Sequence, residues 1–141
     1  MKNILLALLT VACAVSVQAK IVTEVVDYQQ GDTTLEGYLA YDDAISGKRP
    51  GVLIVHQWLG LTDYEKGRAE QLAALGYVAF CADIYGKGIR PSNTAEAGVQ
   101  ETKYKSDRAL LRARVNAGLA ELRKQPLVDQ QRVAAIGYCF G

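Results

Sequence analysis

The chain has 141 residues, half of them apolar and 22% charged, with a formal net charge of +1. This composition excludes a disordered or fibrous protein, and the length holds one folded domain and no more. With 16 basic residues against 15 acidic ones and no basic cluster, the chain has no electrostatic footprint for nucleic acid or an anionic membrane, so a small molecule is the expected partner.

Met1, Lys2 and Asn3 are followed by a nearly unbroken apolar run over residues 4–17 and by the small residue Ala19. A basic start, an apolar centre and small residues at the cut are the three parts of a secretory signal. The run is short for a membrane span. Residues 1–19 are therefore read as a signal peptide, and residues 20–141 as a periplasmic or secreted chain with no membrane attachment after processing. A lipoprotein cut before Cys13 is the competing reading, but Thr10, Val11 and Ala12 lack the Leu wanted three residues before the Cys. Processing removes Lys2 and brings the net charge to zero. It leaves Cys81 and Cys139 in a compartment where disulfides form, so a bridge between them is one reading of both. His56 is the only His, and no Cys/His spacing fits a metal site; no metal or cofactor is expected.

Along the rest of the chain, residues 21–28 and 35–41 alternate apolar and polar side chains around Gly31, Asp32 and Thr33, and predict an antiparallel pair at a sheet edge. After a polar loop, Val52, Leu53, Ile54 and Val55 form a β-branched run of the kind buried on both faces of a parallel sheet. A loop over residues 56–61 leads to Thr62, an N-cap with Glu65 three residues on, which is a capping box. The helix continues through Ala69, Leu72, Ala73 and Leu75 and stops at Gly76. Residues 77–82 predict the next buried strand, and 83–93 a glycine-containing loop. A weak helix over 94–105 follows. Ser106 is placed as the cap of a stronger helix with an apolar stripe at Leu111, Val115, Leu119 and Leu122, ended by Gln125 and Pro126. Residues 132–136 predict a third buried strand.

Strands alternating with helices, and strands continuously rather than alternately apolar, describe an α/β fold with a mostly parallel sheet and crossover helices. Functional groups in such sheets gather at the carboxyl ends of the strands. The loops at 56–61 and 83–90 fall there, as does Gly137-Tyr138-Cys139-Phe140-Gly141. This pentapeptide has the form of a nucleophile elbow with Cys in place of Ser. A nucleophile on a tight strand-to-helix turn has a strained backbone, and bulky neighbours two residues away would collide, hence the two glycines. By themselves the five residues describe equally well a core Cys at a strand end.

Three stretches together, 52–61, 75–86 and 137–141, resemble the dienelactone hydrolase family of the α/β-hydrolase fold, over the chain from about Ile21 onward. The resemblance implies hydrolysis of a carboxylic ester or lactone, with Cys139 as nucleophile and the backbone N–H groups of Phe140 and Trp58 as the oxyanion hole. It also implies that the strand ending at Val55 lies between those ending at Cys81 and before Cys139. Two strand spacings separate the sulfurs by roughly 10 Å, beyond disulfide geometry, and leave Cys81 as a buried small hydrophobe. Three features depart from the family. Gln57 stands where many members carry a Glu, and an amide takes no proton at neutral pH. Lys87 stands near the family's substrate-binding Arg and lacks its bidentate fork. The acid and His follow the nucleophile in this fold, whereas His56 precedes it, at a loop position that is not the base. The catalytic Asp and His are accordingly expected beyond residue 141, within roughly 100 further residues. Residues 20–141 read as the N-terminal part of the domain, inactive and aggregation-prone alone. Gln57 favours the second reading, a non-catalytic periplasmic small-molecule-binding protein on the same fold. A redox thiol protein lacks its C-x-x-C.

Overall fold

Residues 20–141 are described by a computed structural model; the signal-like segment 1–19, with Cys13, lies outside the described residues. Alternating side chains produce the hairpin of β1 (Ile21–Gln30) and β2 (Thr33–Asp42), whose register sets Gln30 opposite Thr33 and leaves Gly31 and Asp32 as the turn. The continuously apolar β3 (Arg49–Val55) lies parallel to both β4 (Val78–Ala82) and β5 (Val128–Gly137), while β2 joins β4 antiparallel. The order β1-β2-β4-β3-β5 is thus a mixed sheet, with three parallel strands and a hairpin at one edge.

Both faces of β3 are dry, as its composition requires. Leu53 and Val55 enter the cluster of Phe80, Ala82, Tyr104 and Leu122, on the side of α2 (Thr94–Ser106) and α3 (Arg108–Lys124). Val52 and Ile54 enter that of Ala69, Ala73, Ala79 and Cys81, against α1 (Asp63–Ala74). Each such side chain contributes about 1.5–3 kcal/mol on full burial. The capping box forms at Thr62 and Glu65, and α1 closes with the Gly76 N–H donating to the Ala73 carbonyl at 2.9 Å.

Three local expectations are corrected. Ser106 does not cap α3: it ends α2, where its hydroxyl donates to the Thr102 carbonyl at 2.7 Å, and the Asp107 carboxylate accepts the Leu110 N–H at 2.9 Å instead. The deepest line of α3 is Arg114, Gly118 and Leu122, while Leu111, Val115 and Leu119 pack half-buried beside it. Gly118 is the reason, since a Cβ there would lie 2.6 Å from that of Ala82; the missing side chain brings this line of the helix closest to the sheet. Finally, β5 is not a buried strand. It is hydrogen-bonded to β3 alone, with Val133 and Ile136 half-buried and Ala134 and Ala135 exposed.

Candidate active site

Beyond β5 the ladder to β3 continues for one more bond, the Tyr138 N–H donating to the Val55 carbonyl at 3.1 Å; the Gly141 N–H then donates back to Tyr138 at 3.0 Å and closes a tight turn. Between these bonds Cys139 has φ +53°, the one positive φ of a non-glycine residue among the described residues. Such a conformation costs on the order of 1–3 kcal/mol and persists only where its surroundings enforce it. They do so here. A Cβ on Gly137 would lie 2.3 Å from the Gly141 carbonyl, and one on Gly141 2.6 Å from the Val55 oxygen. Cys139 is exposed at the top of this turn, and both cysteines are free thiols, so the disulfide reading is set aside. Cys81 is fully buried, its Sγ donating to the Glu65 carbonyl at 3.2 Å, and burial pushes its thiol far above the ordinary range.

The loop after β3 is held from below by Glu65, itself fully buried. One carboxylate oxygen accepts the Gln57 N–H at 3.2 Å; the other accepts the Thr62 N–H at 2.9 Å and the Thr62 hydroxyl at 2.7 Å. Gln57 spends its own acceptors within the loop, its carbonyl taking the Gly60 N–H at 3.1 Å and its Oε1 the Leu59 N–H at 3.2 Å. Among the described residues, the N–H groups of Trp58 and Phe140 have no hydrogen-bond partner. Tyr85 ties these two residues together: its hydroxyl donates to the Trp58 carbonyl at 2.9 Å and its ring lies 5.5 Å from that of Phe140. Tyr104 fixes Tyr85 in turn, donating to its carbonyl at 3.0 Å.

His56 is fully buried under the same rings, 4.7 Å from Tyr85 and 5.8 Å from Phe140. Its Nε2 accepts the Ile84 N–H at 3.2 Å; a backbone N–H can only donate, so the proton sits on Nδ1, which donates to the Gln57 carbonyl at 2.6 Å. Burial pushes the imidazole below its ordinary pKa. With both nitrogens engaged, His56 orders the loops and has no lone pair for the thiol.

Cys139 opens onto a cleft of about 490 Å³ that it lines with Gln57, Tyr64 and Tyr138. Lys87 does not line it. Its ammonium pairs with Asp27 of β1 and its N–H donates to Thr34 at 2.9 Å, which hold it at the hairpin. The neighbouring Arg90 is engaged by Glu36 at 3.5 Å and Asp83 at 3.6 Å. Among the described residues no group of three or more His, Cys, Asp or Glu could hold a metal ion, and no helix is long and apolar enough to cross a membrane. Glu65, Tyr85 and the Tyr64–Tyr138 pair were not singled out by the sequence as parts of the site. The capping box pointed at Glu65 as a helix cap; nothing in the sequence pointed at its bond to Gln57.

A model of the dienelactone hydrolase family matches residues 35–141. The chain belongs to the dienelactone hydrolase family. A Synechocystis protein provisionally named a carboxymethylenebutenolidase is 29% identical over 126 residues, which are 84% of this chain and 50% of that protein. A solved structure described as a dienelactone hydrolase-like promiscuous phosphotriesterase from metagenomic libraries is 40% identical with a TM-score of 0.83, covering 88% of this chain and 51% of that one. Another, named m3DLH, is 38% identical with the same TM-score of 0.83, covering 86% of this chain and 50% of that one. The fold is that of the α/β-hydrolases, and the chain spans about half the length of these relatives.

Proposed function

We propose that the protein hydrolyses carboxylic esters or lactones with Cys139 as the nucleophile. The observation that carries this reading is the backbone of Cys139, an exposed residue held at positive φ between two glycines that admit no side chain. In the proposed reaction the Cys139 thiolate adds to the carbonyl carbon, and the unpartnered N–H groups of Phe140 and Trp58 receive the charge that develops on the oxygen. The alcohol leaves with a proton, and water then cleaves the thioester, releasing the acid and restoring the thiol. Since His56 has no free nitrogen, the proposal assigns the base and its acid partner to a His and an Asp outside the described residues, following the nucleophile in chain order. On this reading residues 20–141 alone do not turn over esters, and residues 1–19 direct the protein to the periplasm or the exterior. Lys87, committed to Asp27, keeps a substrate role only if that pair opens.

The second reading, a non-catalytic small-molecule-binding protein, is favoured by Gln57, an amide lining the same cleft as the thiol where the resemblance implies a carboxylate. Replacing Cys139 separates the two. The full-length protein should hydrolyse small activated esters, Cys139→Ala should lose all turnover while melting like the parent, and Cys139→Ser should be much slower. Retained turnover in a folded Cys139→Ala variant removes the nucleophile. Binding without turnover in the parent supports the second reading. The neighbour described as a phosphotriesterase makes aryl phosphotriesters a useful further substrate in the same assay.

A further inference from the structure

Tyr138 precedes the nucleophile, and Tyr64, in the first turn of α1, stands against it. Their rings meet edge to face, with centroids 5.1 Å apart and planes at 86°. Arg68, one helical turn beyond Tyr64 and on the same face, spreads its guanidinium over both rings, at 5.1 Å from the Tyr64 centroid and 6.0 Å from that of Tyr138. The guanidinium is fixed by two further bonds, donating to the Tyr64 hydroxyl at 3.2 Å and to the Gln71 Oε1 at 2.9 Å. Tyr138 is seated against the core on the α1 side, but Tyr64 is left 46% exposed. Both rings line the cleft that contains Cys139. A large aromatic surface is therefore held rigidly, half in water, beside the exposed thiol.

We propose that Tyr64 and Tyr138 form an aryl-binding wall, so that the preferred substrates are esters carrying a planar aromatic ring next to the scissile carbonyl, with Arg68 positioning the wall. The proposal rests on the reading of Cys139 as the nucleophile. An aryl group laid against these rings removes apolar faces from water and gains the offset or edge-to-face attraction of aromatic pairs, which an alkyl chain of similar area lacks. A cleft of about 490 Å³ accommodates a ring together with the atoms that join it to the carbonyl. The other side chain lining the cleft, Gln57, has its Oε1 committed to Leu59, so its amide offers the Nε2 donor and the apolar contact on this side comes from the rings. Arg68 does not line the cleft; it touches the rings and acts through them.

Alkylation of Cys139 tests the wall without requiring turnover. The purified full-length protein is treated with N-phenyl and N-propyl chloroacetamide, in which the thiolate displaces chloride to give a thioether. Modification is followed on the Cys139 peptide by mass spectrometry, and each rate is divided by that of the same reagent with free cysteine. The normalised preference for the phenyl reagent should be about three- to tenfold. It should fall to about one in Tyr64→Ala and in Tyr64→Leu, which keeps apolar bulk without the ring, and it should persist in Tyr64→Phe. Arg68→Met should lower the phenyl rate and spare the propyl rate, whereas a merely structural role would move both together. A normalised ratio of about one in the parent, or one that Tyr64→Leu leaves unchanged, overturns the proposal. Preferential labelling in a protein that hydrolyses no ester would remove the hydrolase reading and leave the wall, and ester hydrolysis without the preference would do the reverse.

Discussion

At the residue scale, what distinguishes Cys139 is its backbone, since φ +53° is enforced by two close approaches that only Gly137 and Gly141 permit. The two glycines around Cys139 were legible as a local steric pattern, but the pentapeptide alone fitted a core Cys equally well, and it took the stretches at 52–61 and 75–86 to favour the turn. The contacts that shape the rest of the site were not legible. The bond from Tyr85 to the Trp58 carbonyl joins residues that meet only after β3 and β4 are ordered, and the bond from the Gln57 N–H to Glu65 depends on the path of the loop, which residue types do not report. Gln57 lines the cleft with Cys139 and takes no proton at neutral pH. A carboxylate in its place would share the cleft with the sulfur and disfavour the thiolate. In Gln57→Glu, the rise of Cys139 alkylation with pH, measured between pH 5 and 10, should therefore shift upward relative to the parent. Superimposable profiles would show that the side chain at position 57 does not sense the sulfur.

Among the elements, α3 shows where hydrophobic periodicity misleads. Counting apolar side chains selects the stripe at Leu111, Val115, Leu119 and Leu122, but the line nearest the sheet contains Arg114 and Gly118. Arg114 is buried with its stem against the core and one terminal nitrogen donating to the Thr33 hydroxyl at 3.0 Å, and Gly118 is buried because it is small. Gly118→Ala drives a methyl into Ala82 and should destabilise the fold by about 1–3 kcal/mol, read as a lower urea midpoint at unchanged slope. An unchanged midpoint would mean that α3 shifts away freely. The carboxyl end of β3 gives a pH prediction through His56. Its folded pKa lies below the unfolded value of 6.5, so between the two only the unfolded chain holds the proton. The His56 contribution is complete above pH 6.5 and is lost as the pH falls below it, with a slope of up to about 1.4 kcal/mol per pH unit. Subtracting the stability profile of His56→Gln from that of the parent between pH 7.5 and 5 should isolate this slope; parallel profiles would show that His56 takes up its proton in the folded state.

For the whole molecule, the parallel order β4-β3-β5 brings the carboxyl ends of three strands together. The loop of Gln57 and Trp58, the loop of Asp83 and Tyr85, and the turn of Cys139 meet there for that reason. The class of fold and this convergence could be read from the alternation of strand and helix. Cys139 is the point at which fold and chemistry coincide, and the acyl intermediate reports on it most directly. The full-length protein is mixed with an activated ester, quenched in acid within the first turnovers, digested and mapped by mass spectrometry. One acyl group is expected, as a thioester on the Cys139 peptide and absent from Cys139→Ala; an acyl group found only on another residue, with turnover surviving in Cys139→Ala, would contradict the assignment of Cys139 as nucleophile.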